Sequence, residues 1–368
     1  MTGAVVLAAG GTGGHLFPAE ALARLLVERG RAVHLMTDRR ADAFAAAVPG
    51  VTVTQVHAGR LGGDPIRAAY GLAEMAFGVM QARRHLRRLA PDAVVGFGGY
   101  PSVPTMLAAA RLGYPTVIHE QNAVLGRANR FLSSRAKVIA TGFPKTSGVR
   151  AGDQARVVET GNPVRPAIRE AATAYAAPAP GQPIELLVTG GSQGAHVFSE
   201  IVPAALAMLP PETRARLRVG QQARPEDRDD VVARYAGLGI AAEIESFFTD
   251  IPARLARAHL VICRSGASTI AELAATGRPA ILVPYPSAAD DHQSVNARIV
   301  ADAGAGWVLG QDVLSPPLLA YRLGELFGGS PDLANAAAAA RAGARRDAAD
   351  RLAALVLGLI PRGLERAA

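Results

Sequence analysis

Short, unbroken apolar runs alternate with amphipathic helical patterns along the whole chain. Such runs are typical of strands that are buried on both faces of a parallel sheet. We predict strands at residues 4–9, 33–37, 93–96, 116–119, 184–189, 217–219, 260–263 and 280–284, and helices at about 17–28, 65–89, 195–208 and 348–359. This alternation predicts the α/β class.

The two halves of the chain repeat one plan. A glycine-rich loop follows the first strand of each half, at residues 10–14 and 190–194, and opens a helix. Later in each half a helix, a Gly-x-Pro turn and a strand recur and end in a polar cluster, at residues 119–122 and 290–293. The repeat predicts two doubly wound Rossmann-like domains that face each other across a cleft.

The domain boundary is predicted near the turn at residues 161–163. Residues 1–163 then form the first domain and residues 164–347 the second. The last helix, within residues 348–368, can pack on either domain. The stretch 171–183 is rich in alanine and proline and is predicted as a solvent-exposed loop of the second domain.

Composition supports a large core and limits the possible partners. The chain has 368 residues, of which 49% are hydrophobic and 19% charged, which suits two globular domains. Its net charge of +8 comes almost wholly from arginine and favours anionic partners such as nucleotides or phospholipid headgroups. Cys263 is the one cysteine, which excludes an internal disulfide and a cysteine-built zinc site. Nucleic acid is not expected, because aromatic residues make up only 5% of the chain and basic residues are scattered.

Any membrane contact of the chain is expected to be peripheral. No apolar run approaches the roughly 18 residues that a transmembrane helix needs. The N-terminal residues lack the basic stretch of a signal peptide and read as the first strand. We therefore expect a cytosolic protein.

Glycine loops that lead from a strand into a helix bring backbone N–H groups close to an anion. The loops at 10–14, 96–99 and 190–194 lack the Gly-x-Gly-x-x-Gly spacing of dinucleotide folds. His15 opens the first helix, where the helix dipole favours a neutral imidazole that can act as general base for a sugar hydroxyl. Alternatively, His15 only hydrogen-bonds the loop, and Glu120 is the rival base.

The segment from Arg264 to Glu272 has two interpretations. Thr269 and Glu272 have the spacing of a helix capping box, which is a structural explanation. In the functional interpretation, Glu272 lies one turn into a helix and accepts hydrogen bonds from the two hydroxyls of a ribose.

Asp290 and Asp291 raise the question of a metal ion. Paired carboxylates can bind Mg²⁺, but neighbouring residues usually point apart and make a poor chelate. The glycine loops, Ser192 and Arg165 can meet phosphate charge instead. We therefore expect no metal and no other cofactor.

The helix predicted at 65–89 carries an apolar stripe followed by a basic end. The stripe consists of Ile66, Ala69, Tyr70, Ala73, Phe77 and Met80, and the basic end of Arg83, Arg84, His85, Arg87 and Arg88. Cations near a helix C-terminus complement the helix dipole, which is the structural explanation. The alternative is a patch that docks on an anionic membrane surface.

Seven motifs, taken together, resemble the MurG family, the bacterial UDP-GlcNAc transferases of peptidoglycan synthesis. They span nearly the whole chain in the family's order and spacing: GGTGGHLFPA (10–19), GFGGYPS (96–102), HEQN (119–122), GNPVR (161–165), GGSQGA (190–195), RSGASTIAE (264–272) and DDHQSVNA (290–297). One such motif is weak evidence, whereas seven in register are strong evidence.

The resemblance implies a GT-B fold, with the acceptor on the first domain, UDP-GlcNAc mainly on the second, and the last helix packed back on the first. It implies metal-independent, inverting transfer of GlcNAc to the C4 hydroxyl of MurNAc in lipid I, which yields lipid II for cell wall biogenesis. The partners would be UDP-GlcNAc, undecaprenyl-pyrophosphoryl-MurNAc-peptide and the anionic cytoplasmic face of the inner membrane.

Matching positions imply which residues bind the donor. His15 matches the histidine proposed as base in similar enzymes, and Phe248 would present its backbone to the uracil. Glu272 would bind the ribose diol and Gln293 the sugar hydroxyls. The implied donor contacts are Thr12, Gly13, Gly14, Asn122, Arg165, Ser192, Phe248, Ala267, Ser268, Thr269, Ile270, Ala271, Glu272 and Gln293.

The chain departs from the family pattern at residues 220–223. Many relatives have His-Gln-Thr-Gly there, and this chain has Gly-Gln-Gln-Ala. Three alternative functions stay open at this point. They are an epimerase of the same fold acting on UDP-GlcNAc, a nucleotide-sugar sensor without turnover, and a dinucleotide oxidoreductase, which the glycine spacing disfavours.

Overall fold

The computed structural model describes residues 3–10, 13–38, 47–59, 65–191 and 194–360. The chain divides into two compact units, each built around a parallel sheet with helices on its faces. Unit 1 comprises Met1–Arg165 and Arg346–Ala368, and unit 2 comprises Pro166–Arg345. No helix among the described residues is long and apolar enough to cross a bilayer.

Unit 1 contains a seven-stranded sheet in the order β3-β2-β1-β4-β5-β6-β7, and all of its strand pairs are parallel. Its strands are β1 (Val5–Ala8), β2 (Val33–Thr37), β3 (Val51–Gln55), β4 (Ala93–Gly96), β5 (Thr116–Glu120), β6 (Val138–Thr141) and β7 (Val157–Glu159). Its first helices are α1 (Gly13–Glu28), α2 (Pro65–Leu89), α3 (Val103–Leu112) and α4 (Arg127–Leu132). The fully buried runs of β1 and β4 form the centre of the sheet.

Unit 2 contains a six-stranded parallel sheet in the order β10-β9-β8-β11-β12-β13. Its strands are β8 (Ile184–Thr189), β9 (Leu217–Gln222), β10 (Ala241–Glu245), β11 (Leu260–Cys263), β12 (Ala280–Leu282) and β13 (Gly306–Val308). Its helices are α5 (Pro166–Glu170), α6 (His196–Ala207), α7 (Pro211–Arg214), α8 (Arg228–Gly237), α9 (Ile251–Arg257), α10 (Ala267–Thr276), α11 (His292–Asp302), α12 (Pro316–Phe327) and α13 (Asp332–Ala342).

The last described helix, α14 (Ala348–Gly358), returns to unit 1. Leu352, Ala353 and Val356 are buried in the same hydrophobic cluster as Leu22 and Leu26 of α1. This burial of apolar surface, about 25 cal/mol per Å², ties the end of the chain to the first unit.

Candidate active site

In both units the glycine-rich loops follow the two central strands at which the strand order reverses. In unit 1, β1 and β4 are neighbours, and residues 10–14 follow one while residues 97–99 follow the other. In unit 2, β8 and β11 are neighbours, and they lead into residues 190–194 and 264–272. Ligands of doubly wound folds bind outside the carboxyl ends of strands at such reversals. In each unit, these loops therefore form the candidate site of that unit.

The second glycine loop of unit 1 packs directly against the ring of His15. Gly99 has a φ of 71°, and a Cβ there would lie 3.2 Å from Cδ2 of His15. A side chain at this position would therefore strain the backbone and press on the imidazole. His15 itself lies in the first turn of α1 and is half-buried.

A chain of hydrogen bonds in unit 1 determines which nitrogen of His15 carries the proton. Nε2 of His119 lies 3.1 Å from the Gly161 carbonyl oxygen and must donate to it, so Nδ1 of His119 accepts from Nε2 of Gln121 at 3.0 Å. Gln121 then directs Oε1 at Nδ1 of His15, 3.1 Å away, and that nitrogen is the donor. This assignment, which follows from the network, leaves the lone pair of His15 on Nε2.

His119 can keep this role because it is buried and neutral. Burial lowers the pKa of His119 to about 4, and the hydrogen bond to Gly161 opposes that shift. A neutral imidazole has one donor and one acceptor nitrogen, which is the arrangement that the network requires. These contacts give His119 a structural role.

Glu120, the rival base, has both carboxylate oxygens occupied. Oε1 accepts from the backbone N–H and the side-chain amide of Asn122 at 3.0 and 3.1 Å. Oε2 accepts from the Gly126 N–H and the Asn129 amide, both at 2.9 Å. A buried carboxylate with these four donors orders the loop after β5 and is poorly placed to take a proton from a substrate.

Gly13, Gly14, Asn122 and Arg165 lie in the same unit as His15. The Arg165 guanidinium stacks over the Phe17 ring at 4.3 Å. The same ring packs on Gly13, where a Cβ would lie 3.0 Å from it. The stack therefore holds a cation beside the first turns of α1, while Gly14 is exposed in the first turn. Thr12 lies outside the described residues.

In unit 2, the predicted donor residues gather at the start of α10. The capping box predicted at Thr269 and Glu272 is wrong, because α10 begins at Ala267 and its N-cap is Gly266. Both residues lie inside the helix, beyond its N-cap, so Thr269 cannot act as the capping residue. Helix capping therefore does not explain Glu272, and the interpretation that it binds a ribose remains.

The hydroxyl of Ser268 is buried and has no hydrogen-bond partner among the described residues. It lies in the first turn of α10, where backbone N–H groups have no intrahelical acceptor. Together these donors suit an anionic group such as a phosphate. Ala267, Ile270 and Ala271 complete the first turns of the helix, and Ser192 lies outside the described residues.

Gln293, in α11, connects the loop after β12 with the loop between β11 and α10. Its Oε1 accepts from the Tyr285 N–H at 3.0 Å, and its carbonyl oxygen accepts from the Ser265 hydroxyl at 2.8 Å. Phe248 is buried and lies in the loop after β10.

The paired aspartates before α11 lie in a left-handed backbone conformation. Asp290 and Asp291 both have positive φ values, 52° and 49°, and Asp291 accepts from the Ser294 hydroxyl at 2.6 Å. Within the described part of the chain, no three His, Cys, Asp or Glu side chains gather where a metal ion could bind.

Gln121, Phe17 and Arg254 are site residues that the sequence interpretation did not single out. Gln121 lies inside the HEQN motif, between Glu120 and Asn122, so the motif could have indicated it. Phe17 follows the glycine loop by one turn. Arg254 belongs to no motif, and its stacking on Phe248 appears only in the structure.

Comparison with known proteins identifies the family. Residues 5–141 match the N-terminal domain of glycosyltransferase family 28, and residues 185–352 match the C-terminal domain of the same family. An MurG crystal structure from Acinetobacter baumannii has a TM-score of 0.76 and 31% identity, covering 97% of this chain and 99% of that one. The glycosyltransferase of kitacinnamycin, at 17% identity and a TM-score of 0.70, shows the shared GT-B fold alone.

Curated relatives agree over almost the full length. A protein of Rhodospirillum centenum is 55% identical over 96% of this chain and 94% of its own length. One of Paramagnetospirillum magneticum is 52% identical over 97% of both chains. Both bear the same enzyme name, and the resemblance predicted from the seven motifs is confirmed. The chain belongs to glycosyltransferase family 28 and, within it, to the UDP-N-acetylglucosamine–N-acetylmuramyl-(pentapeptide) pyrophosphoryl-undecaprenol N-acetylglucosamine transferases, the MurG family.

Proposed function

We propose that this chain transfers GlcNAc from UDP-GlcNAc to the C4 hydroxyl of MurNAc in lipid I, with inversion, and so forms lipid II. The observation that carries the proposal is the 55% identity to a named relative over 96% of the chain. The transfer breaks the bond between the anomeric carbon and the UDP oxygen while the acceptor oxygen bonds to that carbon from the opposite side. A single displacement of this kind inverts the anomeric configuration.

His15 is the base in this proposal. Its Nε2 carries the lone pair and takes the proton of the attacking hydroxyl. The hydrogen bond from Nδ1 to Gln121 supports this role, because it fixes both the tautomer and the orientation of the ring. The four hydrogen bonds that occupy Glu120 argue against the rival base.

UDP leaves with the bonding electrons, and unit 2 supplies donors for its charge. The Ser268 hydroxyl and the N–H groups in the first turn of α10 suit the diphosphate, and Glu272 in the next turn accepts from the ribose hydroxyls. By the family resemblance, Arg165, Asn122 and Gln293 add contacts to the donor. With these donors in place the reaction needs no metal ion, and none is proposed.

The same proposal places the enzyme at the anionic cytoplasmic face of the inner membrane. Helix α2 buries one face, formed by Gly71, Met75, Gly78, Ala82 and Leu86. Its opposite face exposes Tyr70 by 74%, Leu72 by 62%, Phe77 by 47% and Met80 by 62%. These apolar side chains cost free energy in water, and four arginines follow them on the same helix, which suits an anionic lipid surface. Nucleic acid is not proposed as a partner.

The test is release of UDP from UDP-GlcNAc by the purified protein, with and without a lipid I analogue, in the presence of EDTA. Acceptor-dependent, EDTA-resistant release with formation of a β-1,4-linked disaccharide lipid is expected. Release that stops with EDTA would overturn the metal-independent mechanism. Binding of UDP-GlcNAc without acceptor-dependent turnover would favour an epimerase or a sensor, and analysis for an epimerised product would separate the two.

A further inference from the structure

The end of β9, where the chain departs from the family pattern, connects two loops of unit 2. Gln222 is the last residue of β9, and only 5% of it is exposed. Its Nε2 donates to the Ser246 carbonyl oxygen at 3.0 Å, and its Oε1 accepts from the Thr189 hydroxyl at 2.9 Å. One buried side chain therefore spans three neighbouring strand ends, those of β8, β9 and β10.

Each end of this bridge leads to a segment that the proposed function assigns to the donor. Thr189 ends β8, and its hydroxyl also accepts from the N–H of Gly191 at 3.3 Å, inside the glycine loop. Ser246 directly follows β10 and begins the loop that contains Phe248. Gln222 thus sets the distance between the glycine loop and the loop of Phe248.

A second side chain fixes the loop of Phe248 from the other side. The Arg254 guanidinium lies 3.9 Å from the centre of the Phe248 ring. Glu243 holds it at 2.6 Å and Asp250 at 2.7 Å, so its plane is fixed against the ring. Both Phe248 and Arg254 are buried, at 4% and 9% exposure. A planar cation held by two carboxylates stacks more rigidly than an ammonium could.

Gly220 supplies the space for this stack. A Cβ at Gly220 would lie 3.1 Å from Nη1 of Arg254 and 4.0 Å from Cζ of Phe248. The first is closer than ordinary van der Waals contact, so a Cβ here would force the guanidinium to shift by a few tenths of an ångström. Two of the three departures from the family pattern, those at residues 220 and 222, therefore act on the same loop.

We propose that Gln222 and Arg254 are positioning residues that hold residues 246–248 at a fixed distance from the glycine loop, and so set the selectivity for the uracil base. The proposal rests on the proposed function, in which the backbone at Phe248 faces the uracil. Neither side chain needs to touch the donor. Because a loop fixed before binding loses less entropy on binding, its loosening weakens affinity and selectivity together.

The experiment compares Gln222→Met with the matched variant Gln221→Met. Gln221 is equally buried, but it bonds to the Phe198 carbonyl and the Tyr235 hydroxyl in the hydrophobic core. Each variant is assayed for the KM of UDP-GlcNAc, for kcat, and for the ratio of UDP to CDP affinity by calorimetry. We expect Gln222→Met to raise KM and to lower the UDP preference, each about tenfold, with a smaller change in kcat. Gln221→Met is expected to lower the melting temperature and leave KM and the UDP preference unchanged.

Arg254→Lys is the second variant, and it keeps the charge while removing the flat stack. Arg254→Lys tests the proposal even if Gln222→Met does not fold. We expect Arg254→Lys to show the same rise in KM and the same loss of UDP preference. Unchanged KM and preference in either folded variant would overturn the proposal. The wild-type assay separates this failure from that of the proposed function. If the wild type shows no acceptor-dependent transfer, the proposed function is wrong. If the wild type is active and the variants keep its KM and UDP preference, only the positioning role is wrong.

Discussion

Gln121 is the residue on which the tautomer of His15 depends. It accepts from His15 Nδ1 and donates to both the Nδ1 and the carbonyl oxygen of His119. Gln121→Leu removes the acceptor, so that the proton of His15 is free to occupy Nε2 and the ring is free to rotate. We expect kcat to fall about 10²-fold, the size of a general-base contribution, with little change in the KM of UDP-GlcNAc.

The control for Gln121→Leu is Gln154→Leu, which replaces an exposed glutamine of the same unit that bonds to the carbonyl of Val149. It is expected to leave kcat unchanged. If Gln121→Leu keeps wild-type kcat while its circular dichroism is native, the hydrogen-bond chain does not orient the base.

His119 makes the stability of the fold depend on pH. Its folded pKa is about 4, below the value near 6.5 of an unfolded histidine, because burial disfavours the charged form. Between these values the unfolded chain binds a proton that the folded chain does not, so the free energy of unfolding falls as pH decreases from about 6.5 to 4. The contribution reaches about 3 kcal/mol at the acid end.

The measurement is urea unfolding at pH 7 and pH 5 for the wild type and His119→Asn. The change in the free energy of unfolding measured for the variant is subtracted from that of the wild type. This removes the contributions of other histidines, such as His259 and His34, whose pKa values burial also lowers. We expect the wild type to lose more stability than the variant between the two pH values. Equal losses would contradict the assignment of a buried, neutral His119.

At the scale of elements, the apolar runs predicted all of the interior strands except β6 and missed the edge strands. All eight predicted strands are present, with ends that differ by a few residues at most. The described residues contain five further strands, of which β3, β7, β10 and β13 are the four edges of the two sheets. An edge strand is not buried on both faces, so it alternates with polar residues, as Val51–Gln55 does with its threonines. Such a strand has no continuous apolar run from which it could be predicted.

The apolar stripe of helix α2 did not show, from sequence alone, whether it is buried or exposed. Its buried face and its exposed face are both apolar, and only the packing of α3 and the sheet distinguishes them. Five residues of the stripe that sequence periodicity predicted are exposed, namely Ala69, Tyr70, Ala73, Phe77 and Met80.

The exposed face of α2 makes a prediction about membranes. Replacing Arg83, Arg84, Arg87 and Arg88 together by Ser is expected to reduce binding to vesicles that contain anionic lipid, because each basic residue near such a surface contributes about 1 kcal/mol. The matched control replaces four exposed arginines of unit 2, Arg218, Arg234, Arg257 and Arg298. Cosedimentation at low salt measures both. Equal binding by the two variants would show that net charge, rather than this helix, drives association.

At the scale of the whole molecule, repetition and motif order predicted the class and family, but not the connections within each site. The residues proposed to bear the chemistry, such as His15 and Glu272, lie in segments that begin with glycines after strand ends, where sequence spacing is informative. The residues proposed to position the site, Gln121 for His15 and Arg254 for the loop of Phe248, act through hydrogen-bond direction and ring stacking between distant segments. Those depend on three-dimensional packing, which local spacing does not encode.

The return of the last helix to unit 1 gives a prediction about the whole chain. Leu352 of α14 is fully buried beside α1, whereas the ion pair of Arg29 with Asp350, at 2.6 Å, is exposed. Leu352→Ala is expected to destabilise unit 1 by about 2–4 kcal/mol, because it leaves a cavity. Asp350→Ala serves as the control and is expected to cost less than about 1 kcal/mol.

The chain offers a direct way to assign that loss to one unit. Trp307, the single tryptophan, lies in β13 of unit 2, so its fluorescence follows unit 2, while far-UV circular dichroism follows both units. With Leu352→Ala, the dichroism transition in urea should move to lower denaturant while the Trp307 transition stays in place. If both transitions moved together, α14 would stabilise the two units as one cooperative body rather than unit 1 alone, because only a shared unfolding step transmits a cavity in one unit to a probe in the other.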